Sequence, residues 1–297
     1  MKNRSKWFAL FALLSGLIVS VGAWRFWSAF VSPGRTKEET ARILVHDLKL
    51  GGRAKERAIG HGNDILPSLQ SESSDFADLN GRNSFWIAEV LGSIRTQQSR
   101  SILTNLYSRT NRTAKLVGAV GLLQQGAYPD QIDSDSILVQ TVTADPNQTE
   151  TQLAIIALGK SKHTNALPCL LDLLRRQPLD YWHHAHACDA VARIGSKEAI
   201  PVLIQCLKSE QFHALPNAFR ALIALGDKNA VRFAIDRISP EIKSLNSGAI
   251  VTELKKVTGK SFGYNREAWQ KWWNSAEPQW EIPKDFLVPW DEQKPVY

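Results

Sequence analysis

The sequence predicts an all-α fold: an α-solenoid of about five to six helical hairpins, with an N-terminal transmembrane or signal helix and a tryptophan-rich C-terminal cap. Glycines recur at intervals of 31–36 residues through most of the chain, and apolar residues between them recur with the period of a helix. An uncharged apolar stretch lies near the N-terminus. The 297 residues, of which 43% are hydrophobic, are enough to form a sizeable core.

The first element is a signal anchor or signal peptide over residues 1–24, followed by a linker over residues 25–37. Basic residues precede an uncharged stretch from Trp7 to Trp24, which as a helix spans about 27 Å, close to the thickness of a bilayer core. Aromatic residues at both ends suit the membrane interface. The stretch predicts a membrane anchor through residues 7–24 with the solenoid outside the cytoplasm. Small residues ending at Ala23 also suit a cleavage site, which would leave a secreted or periplasmic protein.

The net charge of +7 does not predict a nucleic-acid partner. Four of the 36 basic residues, Lys2, Arg4, Lys6 and Arg25, lie in or beside the first element, and the rest of the chain holds 32 basic and 29 acidic residues. This balance is too even for a surface that binds phosphates. The three cysteines lie in apolar helical patterns, which predicts core residues, although an oxidised pair outside the cytoplasm stays open.

The solenoid is predicted over residues 38–242, with a polar inserted loop over residues 71–83. Helical hairpins of this length are marked by Gly92, Gly126, Gly159, Gly195 and Gly226. The last three glycines are predicted to end the first helix of a hairpin in a left-handed cap, which glycine adopts without a Cβ penalty. Pro168 and Pro201 fall near the start of the second helices, where a missing N–H costs little.

Three consecutive hairpins carry the same apolar stripe on their second helices. It is formed by Leu167, Leu170, Leu171 and Leu174, then Ile200, Leu203, Ile204 and Leu207, then Val231, Ala234, Ile235 and Ile238. A single hairpin cannot bury such a stripe, so the units must stack.

These units read LAIIALGKSKHTNALPCLLDLL, DAVARIGSKEAIPVLIQCL and RALIALGDKNAVRFAIDRI. They resemble the HEAT-repeat family, especially the short bacterial repeats called PBS-lyase HEAT-like repeats. The resemblance implies a HEAT-like solenoid in a bacterial protein that is membrane-anchored or exported, with an inner face lined by second helices. The resemblance is specific for architecture and nearly silent about activity. The binding role toward another protein or peptide is predicted from the solenoid shape, and a bilin-lyase-like enzyme is an alternative that the predicted export contradicts.

Matched positions of the second helices, outside the apolar stripe, form two polar ladders. The first consists of Asp172, Gln205 and Asp236, and the second of Arg175, Lys208 and Ser239. Mixed charge in such ladders suits a protein or peptide partner better than DNA. The sequence therefore predicts that these side chains belong to a partner-binding surface.

A cluster of aromatic and histidine residues, Tyr181-Trp182-His183-His184-Ala185-His186, is the densest group of candidate functional residues. Alignment on the glycines predicts that His184 faces the core and that His183 and His186 face solvent. The two exposed histidines are three residues apart on a helix and could chelate a metal, which makes a metal protein or enzyme the alternative function. No acidic or thiol ligand is clearly placed beside them, so Trp182, His183 and His186 are assigned to the partner surface.

No other pattern predicts catalysis. A P-loop, a GxSxG elbow and a dinucleotide fingerprint are absent from the sequence. The HEAT-repeat di-iron hydroxylases carry His-Glu dipeptides, and none of the seven histidines here is followed by glutamate. We therefore expect a non-enzymatic scaffold without a cofactor.

The C-terminal cap is predicted over residues 243–297. Asn265 is a plausible N-cap of a short helix that carries Trp269, Trp272 and Trp273 on one face. We expect this face to cover the open end of the last repeat, since an exposed solenoid end needs covering. A tryptophan surface that holds a sugar or a peptide is the alternative.

Overall fold

The computed structural model describes residues 36–50, 54–73, 81–129, 136–144, 149–176, 181–209, 214–239 and 245–289. Over these ranges the chain is all-α, without a strand. The predicted anchor or signal peptide, residues 1–24, lies outside the described residues. None of the described helices is long and apolar enough to cross a bilayer.

The described residues contain fifteen α-helices, which follow one another along the chain. They are α1 (Lys37–Leu50), α2 (Lys55–Gly60), α3 (Leu66–Ser73), α4 (Gly81–Ser93), α5 (Gln97–Tyr107), α6 (Arg112–Gln124), α7 (Ile137–Ala144), α8 (Thr149–Ser161), α9 (Leu167–Arg175), α10 (Tyr181–Ile194), α11 (Ile200–Lys208), α12 (Leu215–Ala224), α13 (Asn229–Asp236), α14 (Leu245–Thr258) and α15 (Arg266–Ala276). The loop predicted over residues 71–83 is shorter than expected, because its two ends belong to α3 and α4.

The helices form two layers. In the first layer α1, α4, α6, α8, α10, α12 and α14 each pack on the next. The second layer consists of α3, α5, α7, α9, α11, α13 and α15, and its helices pack on one another from α7 to α15. The described part of the chain thus holds seven helices in each layer, where the sequence predicts about five to six hairpins. The tryptophan helix α15 is the last helix of the second layer.

The first layer curves on itself around α6. Helices in contact lie about 8–10 Å apart, so helices two places apart in a flat layer do not meet. Yet α4 packs directly on α8, whereas α5 and α7 of the second layer, both described, do not pack closely on each other. The first helices therefore lie on the inner side of the bend here. The expectation that second helices line the inner face is wrong for this part of the stack.

Two of the predicted glycine caps are confirmed. Gly195 and Gly226 follow α10 and α12 with φ of 77° and 84°. The cap predicted at Gly159 is wrong, because Gly159 lies inside α8 and the positive φ, 57°, belongs to Lys162. A Cβ on Gly159 would lie 2.6 Å from the Cα of Ala190. Glycine is needed there because α8 and α10 touch through their main chains.

The substitution Gly159→Ala is expected to lower the free energy of unfolding by about 2 kcal/mol, because the added methyl group meets main-chain atoms that cannot rotate away. Urea denaturation followed by circular dichroism measures this loss. The matched control is Gly195→Ala, whose Cβ meets open space at a φ of 77° and whose expected cost is about 1 kcal/mol. Equal losses for the two variants would contradict the close approach of α8 and α10.

The predicted starts of the second helices are confirmed. Pro168 and Pro201 occupy the first turn of α9 and α11. At that position the missing N–H would have no partner within the helix, and the fixed φ of proline already suits the helix.

Candidate interaction surfaces

The two predicted ladders lie on neighbouring helices of the second layer, since α9, α11 and α13 pack in succession. Most of their side chains are exposed: Asp172, Gln205, Asp236, Arg175 and Lys208. Ser239, which follows α13, is half-buried. The ladder residues therefore lie in the second layer, in the same order as the helices α9, α11 and α13 that carry them. Their role in binding a partner stays a prediction.

The two aspartates of the first ladder are paired with arginines. The Nη2 atom of Arg176 lies 2.6 Å from a carboxylate oxygen of Asp172, and its Nη1 donates to the carbonyl of Thr143 on α7 at 3.3 Å. Asp236 pairs with Arg266 of α15 at 3.2 Å. Exposed pairs of this kind are worth about 0–1 kcal/mol each. They fix the direction of the carboxylates more than they stabilise the fold.

An aromatic surface lies at the start of α10. Trp182 is 59% exposed, and its ring meets Tyr181 edge-on at 5.3 Å between centroids. His186, one turn further along, stacks on Trp182 at 6.2 Å with an interplanar angle of 25°. A large exposed aromatic side chain of this kind is typical of protein interfaces. The structure thus leaves Trp182 accessible, as a partner-binding residue requires.

The prediction that His183 faces solvent is wrong, because its exposed fraction is 0%. The matched residue of the next repeat, Ala214, is also fully buried. The two positions therefore correspond as aligned, and only the prediction that they are exposed is wrong. The physical reason is that α10 packs against α8, α12 and α9, which leaves a narrow strip exposed to solvent. His184 is buried, as predicted. His183 and His186 therefore do not share an exposed surface.

The first layer holds a charged group that the sequence analysis missed. Glu89 of α4 has a side chain that is 9% exposed and accepts hydrogen bonds from Lys55 at 3.0 Å and Lys160 at 2.6 Å. These lysines lie 34 and 71 residues away in sequence. In the sequence, Glu89 is the single charged residue within the apolar run FWIAEVLG, which indicates a buried carboxylate.

The charge of Glu89 depends on its two lysine partners. Burial raises the pKa of the carboxyl group, but hydrogen bonds and charge from Lys160 and Lys55 outweigh burial and bring the pKa below its ordinary value of 4.5. Glu89 is therefore ionised at neutral pH. Because Lys55 also lies 3.8 Å from the carboxylate of Glu56, the two lysines face two carboxylates.

Related positions of the first layer form a row that is apolar at one end and charged at the other. Each member lies six residues before a residue of positive φ at the end of its helix; they are Val120, Ile156, Asp189, Arg220 and Glu253. Arg220 approaches Glu253 at 3.7 Å, and the amide of Asn217 donates to Asp189 at 3.4 Å. The row thus passes from apolar residues on α6 and α8 to charged ones on α10, α12 and α14.

Residues 136–222, from the start of α7 almost to the end of α12, match the family model described as HEAT repeats. This part of the chain is therefore similar to HEAT repeats. The matched residues include two ladder helices, α9 and α11, together with the aromatic surface of α10, whereas Glu89 lies outside the match. No curated protein matches the chain.

The described HEAT repeats offer no reactive cysteine. Burial raises the pKa of the Cys169 thiol to about 11 and that of the Cys206 thiol to about 12, and it raises the pKa of Cys188 well above the ordinary range. These thiols are protonated at neutral pH, which is their inert form. The prediction that the cysteines are core residues is confirmed for the buried Cys188 and Cys206, while Cys169 is half-buried.

Within the described ranges, no three His, Cys, Asp or Glu side chains are placed so that they could hold a metal ion together.

Proposed function

We propose that this chain is a non-enzymatic scaffold that binds another protein or peptide through the surface of its HEAT-repeat stack. HEAT repeats generally bind other proteins. The observation that carries the proposal is the ordered display of exposed side chains of both charges on α9, α11 and α13, to which α10 adds the exposed Trp182. Mixed charge and an exposed aromatic side chain are both typical of surfaces that bind proteins.

The second ladder, which contains Arg175 and Lys208, provides the test of this binding role. Arg175→Glu and Lys208→Glu reverse two exposed charges, so a partner recovered with the full chain from detergent-solubilised cells should be depleted about fivefold with the double variant. The matched control is Lys260→Glu, an exposed lysine in the turn before α15. Equal recovery with the double variant and the wild type would remove the ladder from the binding surface.

The fold of the variant needs a separate check. Lys208 lies over the ring of Phe233 at 4.4 Å, so its reversal also removes a cation–π contact of about 0.5–1 kcal/mol. Thermal unfolding of the double variant shows whether reduced recovery reflects lost binding or lost structure. Binding is the cause where the variant still unfolds cooperatively above the temperature of the assay.

We further propose that the stack lies outside the cytoplasm. The support is the sequence of residues 1–24, in which basic residues precede an uncharged span of bilayer length. Mass spectrometry of the mature N-terminus distinguishes the two forms: residue 1 or 2 on a membrane-bound protein identifies an anchor, and a start at Trp24 identifies a released protein. An intact N-terminus on protein recovered from the cytosolic fraction would contradict export.

A further inference from the structure

The described part of the second layer is interrupted at one place. Helix α3 packs on α5, and α7, α9, α11, α13 and α15 pack in succession, whereas α5 and α7 do not pack closely on each other. The first layer shows the opposite at the same place, because α4 packs on α8 past the intervening α6. The stack is therefore closed on its inner side and open on its outer side here, at what we call the α6 joint.

An ion pair crosses the inner side of the α6 joint. The Nζ atom of Lys160, near the end of α8, donates to the carboxylate of Glu89 on α4 at 2.6 Å. In a stack of helical repeats each unit contacts mainly its neighbours. A bond that passes over α6 therefore fixes an angle between α4 and α8 that the contacts of each with α6 do not fix alone.

The second lysine of this group does not cross the joint. Lys55 donates to the same carboxylate of Glu89 at 3.0 Å, but it belongs to α2, which packs on α1 and on α4 itself. Its bond thus holds together helices that already lie on one side of the joint. Of the two lysines that contact Glu89, only Lys160 joins the two sides.

The helices behind the ion pair are loosely packed. A shallow hollow with about 300 Å³ of empty space lies among α4, α6 and α8, and both Glu89 and Lys160 line it, together with Val120, Leu153 and Ile156. A loosely packed contact loses few van der Waals interactions when its two sides separate. The contact between α4 and α8 is therefore easier to open than the dense helix contacts elsewhere in the core.

On the outer side a tyrosine links the two separated helices. The ring of Tyr128, which follows α6, meets the ring of Tyr107 on α5 edge-on, with 5.6 Å between the centroids. Its hydroxyl lies 3.1 Å from the Oγ atom of Ser136, immediately before α7. Tyr128 is half-buried, so its side chain can leave this position for solvent if α5 and α7 approach each other.

We propose that the α6 joint is a hinge and that the ion pair between Glu89 and Lys160 is the latch that holds it bent. In the latched form α4 lies on α8 and the second layer is open. When the latch is released, α4 and α8 separate and α5 packs on α7, as the neighbouring helices of the second layer already do. This movement changes the angle between the N-terminal helices and the repeats that carry the ladders. The hinge goes beyond the proposed function and does not require that the ladders bind a partner.

The test measures the gap between α5 and α7 by pulsed electron paramagnetic resonance on the full chain in detergent micelles. Genetically encoded spin-labelled residues replace Ser101 on α5 and Gln140 on α7, both of which are exposed. The variant Lys160→Met removes the charge of the latch and keeps the aliphatic part of the side chain. We expect it to add a population in which the two labels are closer by about 5 Å, because packed helices lie about 8–10 Å apart. Lys160→Arg keeps the charge and should retain the wild-type distances.

The matched control is Lys55→Met, which removes a lysine from the same carboxylate without releasing the latch and should also retain the wild-type distances. A second pair of labels, at Gln140 and at Gln205 on α11, lies on one side of the joint and should keep its distance in every variant. Circular dichroism checks that the variants fold, as expected for side chains that are 27% and 38% exposed.

Three results would overturn the hinge. The first is the same distance distribution for Lys160→Met and wild type, and the second is an equal shift for Lys55→Met or Lys160→Arg. The third is a change in the second pair of labels as large as in the first, because the movement would then not be confined to the α6 joint. Each of these results would leave the ladder-based function standing, since the hinge variants alter no ladder residue.

Discussion

Replacement of Trp269 by alanine is expected to lower the free energy of unfolding by about 3–5 kcal/mol, the largest effect of any single substitution considered for this chain. Trp269 is fully buried, its indole N–H donates to the carbonyl of Gly263 at 2.9 Å, and its ring meets Phe262 edge-on at 5.0 Å. Alanine would leave a cavity and remove this hydrogen bond where α15 packs on α13. Urea denaturation followed by far-UV circular dichroism measures the loss.

The neighbouring Trp272 supplies the matched control. It is half-buried, and its ring lies 5.9 Å from that of Trp269, so Trp272→Ala should cost about 1–2 kcal/mol. A Trp269→Ala loss no larger than that of Trp272→Ala would mean that α15 is not an integral helix of the second layer. The same result would reopen the alternative that the tryptophans hold a ligand.

Removal of the buried carboxylate by Glu89→Ala is expected to cost about 3 kcal/mol, because it leaves two ammonium groups side by side without their shared partner. The effect falls at the lower end of the range for buried pairs because Lys55 and Lys160 retain contact with water. Equilibrium denaturation at neutral pH measures it. Lys256→Ala, which breaks the more exposed contact to Glu253 at 3.0 Å, is the control and should cost less than about 1 kcal/mol.

The pH dependence of stability gives an independent test of the same group. The pKa of Glu89 is lower in the folded protein than its ordinary value of 4.5, so its ionised form stabilises the fold above that value. The contribution is lost as the pH falls through the folded-state pKa. Wild-type protein should therefore lose more stability than Glu89→Gln between neutral pH and acid. Parallel pH profiles for the two proteins would show that folding does not lower the pKa of Glu89.

The sequence predicts those features whose cause is local. Gly195 and Gly226 are predictable because a left-handed helix end favours glycine, and Pro168 and Pro201 because a first turn tolerates proline. Asn265 likewise caps α15 as expected, with its side chain accepting from the N–H of Ala268 at 2.9 Å. Each of these requirements involves residues only a few positions apart.

Features that depend on contacts between distant helices are not predictable in this way. Gly159 shares the spacing of the helix-ending glycines, yet it is required by the main chain of Ala190 on another helix. The burial of His183 depends on the helices that surround α10, and the ion pairs of Glu89 join residues up to 71 positions apart. A single sequence gives the identities of these side chains, but it does not show which residues from distant helices lie close together.

Photo-crosslinking at the centre of the ladder tests the proposed binding role most directly. Gln205 is exposed on α11, between the ladder positions of α9 and α13, and a photoreactive phenylalanine analogue can replace it in the full chain in cells. The account predicts one discrete adduct with another protein at this position, and none when the analogue replaces the exposed Lys197 in the turn before α11. No adduct at Gln205, or the same adducts at both positions, would contradict it.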